Sequence, residues 1–208
     1  MPHLRLYHAF LTVPYAGNAV PLRFGSFFKN RPVDYNKVVD VANAISDSLG
    51  IACFAHTTAR ALVDVQSALG SGTLFSTISL QFSDEDKQHI LERYYFPYRI
   101  RISKFLQNHI KPIVWVDVLL SEETTNVWQW YGIVPNEITQ NVMAQLNPII
   151  QLTESKSDKD FEFQHALAKL YTDQEIAYVT LFVSKNFFTN NEAENRAEIC
   201  RQLSSLSV

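Results

Sequence analysis

Apolar positions recur at two periods along the chain, and the switches between those periods mark out its elements. Residues 4–13 place Leu4, Leu6 and Phe10 on one alternating face and Tyr7, Leu11 and Val13 on the other, which predicts a strand covered on both sides. Residues 34–49 repeat Val38, Val41, Ala42, Ile45 and Leu49 at helical spacing. Asp34 is placed to cap the start, and Gly50 stands where a left-handed C-cap belongs. A short apolar run at 51–56 predicts a second strand. Ala59, Leu62, Val63, Gln66 and Leu69 predict a helix over 58–69, although Ala61, Val63 and Val65 also fit a strand. Leu74, Ser76, Ile78, Leu80 and Phe82 alternate as a strand does.

Ser83 followed by Asp86 has the form of a capping box, opening a helix that Pro97 is expected to stop near Tyr95. Residues 98–105 and 112–120 then predict two strands, and the turn-like link Gln107–Pro112 predicts that they pair as an antiparallel hairpin. Helices are expected over 136–147, 161–172 and from Asn191 to about Ser205, with a central strand over 176–184. Residues 14–32 hold Pro14, Gly17, Pro21, Gly25 and Pro32 and predict a long loop. Its Tyr15, Phe24, Phe27 and Phe28 are expected to pack down on the body. Together these elements predict an α+β fold, a mixed or largely antiparallel sheet with helices packed on it. A three-layer α/β sandwich is the alternative.

The chain of 208 residues fits a single globular domain, 1–208, with the polar stretch 153–160 as an exposed linker. Apolar residues make up 47%, enough for one core. The net charge of −3 disfavours a protein that coats nucleic acid by neutralising phosphate, without removing a local basic patch. Cys53 and Cys200 both fall in apolar settings, as small hydrophobes do, and fit a reducing, cytoplasmic location. Arg5 and His8 interrupt the N-terminal apolar residues, so no secretory signal is expected, and no window is long enough for a membrane span. His3, His8, His56, His89, His109 and His165 are scattered without metal-ligand spacing, so neither a metal nor a cofactor is expected.

Four stretches carry candidate chemistry. His56 and Arg60 flank a predicted strand-to-helix junction, where an anion can meet backbone N–H groups and a guanidinium, and His56 can serve as acid or base. Arg93, Tyr95, Tyr98, Arg99, Arg101 and Lys104 interleave charge with rings. That pattern suits single-stranded nucleic acid or a protein partner, with Arg99 and Arg101 on one strand face. Trp128 and Trp130 share a side when extended and form a candidate aromatic patch. Asp64 and Asp117 lie in apolar runs, where a carboxylate needs a partner; Arg101 across the predicted hairpin is the expected partner of Asp117. The leading functional expectation is a non-catalytic interaction or accessory protein that meets another protein through an aromatic surface. The alternatives are RNA or single-stranded DNA binding or processing through 93–104, and an enzyme on a small anionic substrate near His56 and Arg60.

Overall fold

The structure is a computed structural model, and it describes residues 8–28, 36–109, 112–121, 127–133, 136–149, 161–171, 175–189 and 191–206. The linker predicted at 153–160 and the cap at Asp34 lie outside the described residues. Five strands form one mixed sheet: β1 (His8–Val13), β2 (Ala52–Ala55), β3 (Ile113–Leu120), β4 (Trp128–Gly132) and β5 (Ile176–Val183). Their order is β2-β1-β3-β5-β4. β2, β1, β3 and β5 run parallel, and β4 runs antiparallel to β5 at the edge. Among the described residues six α-helices pack on this sheet: α1 (Asn36–Leu49), α2 (Asp84–Ile90), α3 (Phe96–Asn108), α4 (Glu137–Met143), α5 (Glu162–Leu170) and α6 (Glu192–Ser205). None of them is long and apolar enough to cross a membrane.

The expected mixed sheet with packed helices is what the chain forms, and the reason is visible in the strands. β3 and β5 are apolar on both faces, so each face demands a cover. Leu11, Val13, Val114, Val116, Val179 and Leu181 point to one face, under α1, α4 and α6. Phe10, Trp115, Leu119, Tyr178 and Phe182 point to the other, under α3, α5 and the loops at 62–82.

Three predicted elements are corrected. Residues 98–105 are not a hairpin strand but part of α3. Tyr98, Ile102 and Leu106 are buried at successive intervals of four, while Ile100, which an alternating strand would have buried with its neighbours, is 49% exposed. Pro97 does not stop the helix. The chain runs from α2 through a π-helical turn, Leu91–Tyr95, in which the Phe96 N–H reaches back five residues to the Leu91 carbonyl. The wider turn makes room for a ring that has no N–H to give and would crowd the carbonyl four residues behind it.

Residues 58–69 form turns rather than a helix, because Asp64 takes the N–H of Gln66 on its own side chain and diverts the backbone. Residues 73–82 also turn, with Ser76 accepting from the Ser79 N–H, so their alternation finds no strand to pair with. The Ser83 cap is present: its hydroxyl oxygen accepts from the Asp86 N–H at 3.1 Å. Ser83→Ala is expected to cost about 1 kcal/mol in urea denaturation, with Ser83→Asp recovering most of it.

Candidate functional site

The strand order marks a switch point before any side chain is considered. β1 connects through α1 to β2 on its one side, and the chain then crosses by α3 to β3 on the other side of β1. Open sheets of parallel strands bind ligands in a crevice at the C-terminal strand ends beside such reversals.

The loop after β1 and the loop after β2 are zipped together over this end of the sheet. Ala19 N–H donates to the Thr57 carbonyl at 3.2 Å, and Ala59 N–H donates to the Ala19 carbonyl at 3.0 Å. The zipper brings Tyr15 from the first loop against Arg60 and Asp64 from the second. Arg60 Nε donates to Asp64 Oδ2 at 2.8 Å, and its guanidinium lies 4.3 Å from the Tyr15 ring centroid. The Tyr15 hydroxyl donates to Asp64 across 3.2 Å. Burial, then the Asp64 charge, pushes the Tyr15 phenol well above its ordinary range, so it stays a proton donor. The Arg60 side chain is 48% exposed and the Asp64 side chain only 6%, so the cation forms the rim and the carboxylate the floor.

Beneath them lies Asp117, fully buried on β3. The Thr12 hydroxyl and Trp115 Nε1–H donate to its Oδ1, the latter at 3.1 Å. Gln66 Nε2–H, at 2.9 Å, and Gln164 Nε2–H donate to Oδ2. Burial raises this carboxyl to about 6, against the downward pull of those four donors. Its partners come from β1, β3, the 64–67 turn and α5, so one carboxylate ties these elements together.

The anticipated residues divide as follows. Arg60 lies in the cluster with Tyr15 and Asp64. His56 stands at the end of β2 but is buried, its Nε2 3.1 Å from the Tyr94 carbonyl and its ring edge-on to Tyr98. Burial lowers it to about 4, so at neutral pH it is uncharged and held within the packing. The basic and aromatic residues of 93–104 lie on the π-helical turn and α3 rather than on a strand, so their alternation does not sort rings from charges. Tyr95 and Tyr98 are buried, and Arg99 folds inward, Nη1 on the Ser67 carbonyl at 2.9 Å and guanidinium 3.9 Å from the Phe163 centroid. Arg93, Arg101 and Lys104 remain exposed.

Arg101 does not meet Asp117; it reaches toward the Ala55 carbonyl. Trp128 and Trp130 share a side of β4, as extension requires, but that side is core rather than surface, and Trp130 Nε1–H donates to Gln202. Among the described residues no three His, Cys, Asp or Glu side chains are grouped to hold a metal ion. Gln66, Gln164 and Thr12 carried no signal in the sequence. They are neutral polar residues, visible only once a buried carboxylate needs donors.

No protein-family model matches the chain, and neither does any curated protein by sequence. A solved structure does. The gene product Atu2144 from Agrobacterium tumefaciens aligns with a TM-score of 0.73 over 95% of this chain and 88% of its own, at 11% identity. That likeness concerns the fold alone.

Proposed function

We propose that the chain binds a small anionic molecule at the crevice between β1 and β3, in a site of enzyme-like construction. The observation that carries this reading is the gathering of Tyr15, Arg60 and Asp64 at the reversal of strand order, above a buried carboxylate. A half-exposed guanidinium stacked on a ring sets positive charge at the rim, and a guanidinium is suited to a carboxylate or phosphate. Asp64 and the protonated Tyr15 phenol supply an acceptor and a donor beside that anchor, the pair that proton transfer requires. His56 is not given that role, since it is buried and neutral.

The test is a thermal-shift and calorimetric panel of phosphate, sulfate and small mono- and dicarboxylates. At least one member is expected to stabilise the protein, and Arg60→Ala is expected to weaken its binding at least tenfold, about 1.4 kcal/mol. Arg201→Ala, on the remote α6, should leave binding unchanged. Equal affinity in the Arg60 and Arg201 variants would refute the assignment.

A second reading, contact with another protein, is supported by Leu22, Phe27 and Leu80, exposed on two turn segments joined by stacking of Phe24 on Phe82 at 5.1 Å.

A further inference from the structure

We propose that Gln66 is a positioning residue that transmits the protonation state of the buried Asp117 to the Tyr15–Arg60–Asp64 site. The proposal rests on reading that cluster as the ligand site and adds its regulation by pH.

Gln66 touches both carboxylates at once. Its backbone N–H donates to Asp64 Oδ1 at 2.9 Å, and its side-chain Nε2–H donates to Asp117 Oδ2 at 2.9 Å. Among the described residues no other hydrogen-bonding residue of Asp117 is also a partner of Asp64: Thr12 and Trp115 belong to the sheet, and Gln164 belongs to α5.

When Asp117 is ionised, four donors converge on its two oxygens. Adding a proton from solvent converts one acceptor oxygen into an O–H, which must find an acceptor of its own. Two stand in place. Gln66 Oε1 and Gln164 Oε1 are both buried and have no hydrogen-bond partner among the described residues. A half-turn of either amide lets it accept from the new O–H. Turning the Gln66 amide, and losing the charge-assisted bond it made, alters the tether on the backbone that holds Asp64. Arg60, bonded to Asp64 through Nε, then reports the change at the rim.

The groups around Asp117 leave it as the member of this set that titrates near neutrality. Tyr15, from the loop after β1, and Tyr98, from α3, are phenols that burial keeps protonated. Thr12 from β1, Gln66 from the turn, Gln164 from α5 and Thr180, its register neighbour on β5, are neutral. His56, behind Tyr98, is uncharged above about pH 4.

The experiment uses no ligand, so its failure leaves the binding assignment standing, and the reverse. The Trp115 indole N–H and the Arg60 Nε–H resonances are followed by nitrogen–proton NMR from pH 7.5 to 5. In the unaltered protein both should move with one midpoint, near 6. In Gln66→Met the indole should still titrate while the Arg60 resonance stays fixed. In Asp117→Asn neither should move. Should Gln66→Met fail to fold, Gln164→Met serves: it removes a donor to the charged form, so both resonances should keep a common midpoint displaced upward. Separate midpoints in the unaltered protein or in Gln164→Met, an Arg60 resonance that still titrates in Gln66→Met, or one that never moves, would overturn the proposal.

Discussion

Gly17→Ala should unfold the crevice and much of the molecule with it, lowering stability by more than about 4 kcal/mol. A Cβ on Gly17 would lie within the van der Waals envelope of the Thr57 carbonyl, main chain against main chain, with no flexible side chain to swing aside. The glycine is required by close approach, since its bridge to Ala59 and the Ala19–Thr58 bridge beside it zip the two site loops together. Relief means parting the loops, which separates Tyr15 from Arg60 and Asp64. Gly25→Ala and Gly72→Ala are the controls, because a Cβ at either position meets nothing within 4 Å. Urea unfolding monitored by tryptophan fluorescence reads all three. A Gly17→Ala protein within about 1 kcal/mol of the parent would show that the loops are not in contact as described.

Two buried titrations should pull stability in opposite directions between pH 4 and 6.5, and single substitutions should separate them. Burial raises Asp117 to about 6 from its ordinary 3.8, so the folded chain holds that proton when the unfolded chain has released it. Its contribution is fully present below about pH 3.8 and is lost as pH rises through about 6. Burial lowers His56 to about 4 from 6.5, so here the unfolded chain takes the proton first. Its contribution is present above about 6.5 and is lost as pH falls through about 4. Each shift corresponds to about 3 kcal/mol, and over the shared range the two nearly cancel.

Asp117→Asn should therefore leave a protein that weakens steadily on acidification from pH 6.5 to 4. His56→Gln should leave one that strengthens from pH 6 to 4. Denaturation midpoints at pH 4.5, 5.5 and 7 distinguish the two, and parallel slopes in both variants would sink the account.

The basis for these expectations was unevenly legible in the sequence. α1 and Gly50, β2, β3 and β5 follow directly from periodicity, because their burial is dictated by their own apolar spacing. Asp64 and Asp117 stood out as carboxylates in apolar runs, and Arg60 as a guanidinium at the end of a strand. Tyr98, Ile100 and Ile102 misled, since residues two apart satisfy a strand and residues four apart satisfy a helix, and 98–106 contains both sets. Only packing against Phe10 and Trp115 chose between them. Trp128 and Trp130 misled in another way: aromatic side chains serve a surface and a core equally well, and which one they serve depends on the elements that arrive opposite them.

By itself, then, the chain determined that strands apolar on both faces need helices on both, and that two acids in apolar company need donors. The tertiary structure alone decided which donors: Thr12, Gln66, Trp115 and Gln164 span the chain from position 12 to position 164 and meet at one carboxylate only after β1 and β3 lie side by side. Periodicity records what each segment must hide. Contacts between distant segments are fixed by the closing of the sheet, and local spacing carries no information about them.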